Sequence, residues 1–163
     1  MTPHDLFQAL EQTSFATAIR EGSLLFPWIE SVHVLAIATV VGSISIVDMR
    51  LLGVPAHKLG VRRLTREVLP ITWIAFAFAV ISGFLLFSSA ALKYSAMSTF
   101  QAKMVLLVIA GLNMLFFHLV TFRNIERWDE LMETPLAAKT AGAVSLMLWV
   151  SIVVLGRWIG FLR

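Results

Sequence analysis

The chain has 163 residues, 58% of them hydrophobic and 14% charged, with a formal net charge of +3 and no cysteine. A mean hydropathy of +0.84 sets it apart from ordinary soluble domains and points to an integral membrane protein. The lack of cysteine excludes disulfides, thiolate metal sites and iron–sulfur clusters, and the modest charge gives no support to nucleic-acid binding.

Unpaired backbone groups are not tolerated in hydrocarbon, so a spanning chain is either helical or a closed barrel. Long unbroken apolar runs, rather than alternating ones, select helices here. Residues 1–22 lack the basic start, apolar run and small-residue cleavage site of a signal peptide, and are read as structure rather than as a targeting segment. Leu6, Phe7, Leu10, Phe15, Ala18 and Ile19 gather on one side of a helix, with Pro3 near its start and Gly22 past its end. This predicts a short helix lying on the membrane surface.

The first span is expected over about residues 28–52, within FPWIESVHVLAIATVVGSISIVDMRLLG. It carries Glu30, His33, Asp48 and Arg50. Ionisable groups at depth cost roughly 2.5–3.5 kcal/mol each on insertion scales, so each marks a site, a pairing or an interfacial anchor. Gly53, Pro55 and Gly60 then break the helix, and Lys58, Arg62, Arg63 and Arg66 follow. The positive-inside rule places this loop in the cytoplasm.

The second span, about residues 69–91, holds Trp73 and Gly83 but no ionisable group, and reads as a packing helix. A short polar outer loop leads to the third span, about residues 100–122, with Lys103, Asn113 and His118. The next loop, with Arg123, Arg127 and Lys139, again fits the cytoplasm, and the fourth span covers about residues 136–161. The expected fold is all-α: one membrane domain of residues 1–163, a four-helix bundle of two antiparallel hairpins with short connections. Both termini then lie on the periplasmic side of a bacterial inner membrane. Gly156 and Gly160 form a small-xxx-small pair that would let the fourth helix approach a neighbour.

Depth sorts the polar residues into two layers. His33 and His118 cannot clamp one haem iron, because they lie near opposite ends of parallel spans, roughly 20 Å apart in depth at ~1.5 Å per residue. The outer layer instead matches His33 with Lys103, with Glu30 one turn above His33 and Arg157 at the same level. A neutral imidazole is a haem or copper ligand or a proton carrier, while Lys103 and Arg157 suit propionates, a quinone head group or another anion. Lys and Arg near helix ends also serve as plain interfacial anchors. The inner layer matches Asp48 with His118, near Arg50 and Arg123. It reads as a structural latch between the first and third spans, as a pairing of Asp48 with Arg50 or Arg123 at the cytoplasmic interface, or as a proton relay or second ligand set. Met104, Met114 and Met147 are soft ligands or helix-interface filler, and the chain has no MxxxM cluster or His-rich tract of the kind copper transport uses. His4 and His57 are expected in solvated segments.

The runs WIESVHVLAIATVVGSISIVDMRLLG, FQAKMVLLVIAGLNMLFFH and SLMLWVSIVVLGRWIGF resemble a family of bacterial four-helix membrane proteins, across nearly the whole chain. More distantly, the pattern is similar to the HemJ-type protoporphyrinogen oxidase, a four-helix protein associated with haem b. That family's first-helix His and third-helix Lys match His33 and Lys103, and its Arg at the end of the first helix matches Arg50. The chain departs from it after that Arg, at LLGVPAH, and at its GRWIGF ending. The resemblance therefore implies haem binding more directly than oxidase activity. The copper-resistance D membrane domain has a similar early His and small-residue helix pattern.

Together these features lead to the expectation of a haem b-binding protein in electron transfer or porphyrin redox chemistry. His33 would be the axial ligand, Lys103 a second ligand or propionate partner, and Arg157 an anion clamp, with Glu30 beside them. The alternative is a non-catalytic membrane subunit or transport component, handling copper or a small solute. The partners implied are the lipid bilayer, a redox partner or other membrane subunits, and a further copy of the chain.

Overall fold

The computed structural model of the chain describes residues 2–54, 60–121, 125 and 134–161. His57, Lys58, Arg123 and Arg127 lie outside the described residues. Every element among the described residues is helical: α1 (Pro3–Glu11), α2 (Ser14–Glu21), α3 (Leu25–Leu51), α4 (Val61–Ser88), α5 (Ala91–Ala96), α6 (Ser98–Phe116) and α7 (Leu136–Phe161). A π-helical turn, Phe117–Thr121, continues α6. Helices α3, α4, α6 and α7 are long and apolar enough to cross a bilayer, and the chain is a multi-pass, all-α membrane four-helix bundle.

The expected surface helix is two helices, α1 and α2, which do not lie free. Thr2 and Asp5 close a capping box at the start of α1, with Pro3 in its first turn. The Thr13 hydroxyl donates back to the Leu10 carbonyl at 2.6 Å, and α2 starts afresh at Ser14. Phe7 meets Phe87 of α4 edge-on, with ring centroids 5.6 Å apart. Glu11 Oε1 accepts the Leu92 N–H at 2.8 Å, which ties α1 to α5. The segment expected as a polar outer loop thus contains a helix, α5, with Ala91 and Tyr94 buried. Helices α1, α2 and α5 together cover one end of the bundle, the cap end; the opposite end, where α4 begins, is the basic end.

The second span starts at Val61 rather than near Leu69. Its basic residues suggested a loop, yet the helical period runs straight through them. Val61, Leu64 and Thr65 are buried while Arg62, Arg63 and Arg66 are exposed, and Arg63 pairs with Glu67 one turn on at 3.0 Å. A small apolar core of Leu51, Val61, Phe117, Ile125, Ala138 and Ala141 closes the basic end.

Helix α3 packs along α4, and α6 along α7, giving the two hairpins; α3 against α7 joins them. Ser43 and Thr72 hydroxyls meet at 2.8 Å across α3 and α4. The closest approach of α3 and α7 is at Gly142, where a Cβ would stand 3.1 Å from both the Asp48 carbonyl oxygen and Leu51 Cβ. That tight crossing is the role expected of Gly156 and Gly160. Gly156 instead faces the Lys103 side chain, and a Cβ on Gly160 would meet nothing within 4 Å. Helices α4 and α6 make no comparable contact, so the bundle is open between them. Ile71, Ile74, Phe78 and Ile81 of α4, with Val105, Val108 and Leu112 of α6, present an exposed apolar belt that suits lipid.

Candidate functional site

The space left between the hairpins forms two chambers, one above the other, each walled by all four spans. The cap-end chamber, about 500 Å³, gathers Glu30, His33, Lys103 and Arg157 from α3, α6 and α7. The depth match made from the sequence is therefore a lateral match as well.

His33 is half-buried, with its Nδ1 3.0 Å from Ser82 Oγ of α4. The Ser82 hydroxyl already donates to the Phe78 carbonyl at 2.5 Å, so its oxygen is the acceptor toward the ring. The backbone of Ala79 also bonds the imidazole. The Ser82 contact assigns the proton to Nδ1, the tautomer whose Nε2 lone pair can ligate. The ring lies against Gly83, where a Cβ would stand 2.9 Å from His33 Cε1. Any larger residue there would displace the imidazole.

Lys103 is half-buried, close enough to His33 to interact with it electrostatically. Its Nζ would lie 3.5 Å from a Cβ on Gly156, so that glycine leaves room for the ammonium. The Arg157 guanidinium stacks 5.2 Å over the Phe161 ring at the chamber's edge. Phe87 and Phe100 stack with centroids 5.3 Å apart and Tyr94 leans on Phe100, which closes the chamber beneath the cap with aromatic rings.

The basic-end chamber, about 280 Å³, contains Asp48 and His118. They do not form the expected latch. Asp48 is hydrogen-bonded to Ser145, so the polar link runs from α3 to α7. His118 donates from Nδ1 to the Met114 carbonyl of its own helix at 2.9 Å, within the π-helical turn. Asn113 Nδ2 donates to the Ala141 carbonyl at 3.1 Å and joins α6 to α7.

The chain belongs to DUF6644, a family of unknown function, which it matches over residues 7–162. No curated protein and no solved structure matches it. The DUF6644 match takes in both chambers and the cap from Phe7 onward.

Ser82, Thr65 and Ser145 line these chambers or hold their side chains and do not stand out in the sequence, where Gly83 reads only as part of a packing helix. Small polar residues inside membrane helices usually bond their own turn, so they carry little signal. The adjacent Ser82 and Gly83 in an otherwise apolar run were the one visible mark of the imidazole's seat.

Proposed function

We propose that this protein binds haem b in the bacterial inner membrane, and acts in electron transfer or porphyrin redox chemistry. The observation that carries the reading is His33, held through Nδ1 by Ser82 in a chamber that Lys103 and Arg157 share. A backbone or side-chain acceptor on one imidazole nitrogen is how proteins orient a ligating histidine.

The residues present fit the group. His33 would hold the iron; Lys103 would supply a second ligand or, like Arg157, a cation for propionates. Glu30, one turn from His33, would complete the polar edge. The aromatic and apolar remainder of the chamber would exclude water from the macrocycle. When bound, haem supplies one-electron exchange. Among the described residues, no three His, Asp or Glu side chains are grouped to hold a bare ion, whereas haem asks the protein for only one or two ligands. Exposed Arg62, Arg63 and Arg66 support placing the basic end in the cytoplasm and the cap, with both termini, in the periplasm.

The test is an absorption spectrum of protein purified after expression with ample haem. A Soret band is expected, abolished by His33→Ala and weakened or shifted by Lys103→Ala. A wild-type protein that is folded, haem-supplied and without the band would overturn the reading. A purely structural His33 would lower stability on substitution and leave the spectrum unaltered.

A further inference from the structure

We infer that the basic-end chamber is a binding site for a lipophilic organic cation, an ammonium group carried on an apolar or aromatic body. The inference stands apart from the haem reading and concerns a different set of residues.

Asp48, in the last turn of α3, is only 5% exposed. One side of its carboxyl is engaged by Ser145, while Oδ2 has no hydrogen-bond partner among the described residues. Thr65 of α4, 6% exposed, lines the same chamber and leaves its Oγ1 equally unpartnered. Buried polar groups in native proteins are nearly always paired, so two unpaired oxygens on side chains that line one cavity point to what the cavity takes. Both can accept from an N–H donor.

The rest of the wall decides what carries that donor. Trp73, Phe76 and Trp149 offer aromatic faces, which attract a cation as well as an apolar body. An alkali ion would need a shell of several oxygens, and most of this chamber's surface is hydrocarbon. An anion would meet the Asp48 carboxyl. A neutral alcohol could bond Oδ2, yet only a cation would stabilise the ionised form of a carboxyl held out of water. Arg50, two residues on, directs a guanidinium nitrogen to Thr134 Oγ1 at 3.5 Å. Entry from the lipid is open, because α4 and α6, which form opposite walls, are not packed together.

The test uses the full chain in a neutral maltoside detergent, with 4-phenylbutylammonium and its neutral counterpart 4-phenylbutanol as probes. Binding is followed by calorimetry and by the fluorescence of the chamber tryptophans. Saturable binding of the ammonium is expected, about tenfold tighter than the alcohol and about tenfold weakened by Asp48→Asn. Should Asp48→Asn fail to fold, Thr65→Val, which removes only the second acceptor, is expected to weaken the ammonium about threefold and the alcohol less. Equal affinity for ammonium and alcohol, binding insensitive to both substitutions, or no saturable binding of the ammonium would overturn the proposal.

Discussion

His33 shows how much a single side chain in a membrane depends on neighbours that carry no charge. Its imidazole needs an acceptor at Nδ1, which Ser82 provides, and a vacant face on α4, which Gly83 provides. Gly83→Val is therefore expected to push the ring out of its seat, because even a Cβ would stand 2.9 Å from Cε1. Overpacking of this kind costs about 1–3 kcal/mol, and thermal unfolding in detergent would register it. Ser82→Ala is the complementary change: it removes the acceptor without adding bulk. Nitrogen NMR of the imidazole should then report a loosened tautomer preference at His33 with little loss of stability; an unchanged signal would mean that Ala79 alone fixes the ring.

Among the elements, the α3–α7 crossing is the contact that unites the hairpins, and Gly142 makes it possible. A Cβ at position 142 would lie 3.1 Å from both Leu51 Cβ and the Asp48 carbonyl oxygen, closer than packed atoms ordinarily approach. Gly142→Val should therefore lower thermal stability in detergent by about 1–3 kcal/mol, whereas Gly160→Val, with nothing within 4 Å of its Cβ, should leave it nearly unchanged. Equal effects at the two positions would place the crossing elsewhere. The cap makes a separate prediction about pH. Hydrogen bonds from the Thr2 backbone and then its side chain hold the Asp5 carboxyl below the usual range. A depressed folded-state value stabilises α1 above the unfolded value and loses that contribution as the pH falls through the folded one. Protection of the α1 amides relative to their intrinsic exchange rates should accordingly fall on acidification below about pH 4, and Asp5→Asn should remove the dependence.

At the scale of the whole molecule, four crossings place both termini on one side, whichever way the bundle inserts. Exposed Arg62, Arg63 and Arg66 set the expected direction. Thr2→Cys should react with a membrane-impermeant maleimide in spheroplasts with intact inner membranes, and Gly60→Cys should react only after permeabilisation. The reverse pattern would put the cap in the cytoplasm. The opening between α4 and α6 is a second property of the whole. A bundle closed by four equal interfaces would have no room for two chambers, whereas two hairpins joined along α3 and α7 leave it.

The sequence by itself determined the class, the four crossings and the two depths of polar residues. Hydrophobic run length, helical rise and the cost of charge in hydrocarbon act locally along the chain, so they can be read from it. The boundaries of α4 were less legible, because Arg62, Arg63 and Arg66 satisfy a helix surface and a loop equally well. Only the tertiary structure decided which helices touch. Depth brought His33 level with Lys103, but rotation about each axis and the choice of neighbours brought them into one chamber. It also gave Asp48 to Ser145 rather than His118, and turned Gly83 and Gly156 toward polar side chains. Those outcomes depend on packing between residues far apart in sequence, which no local period records.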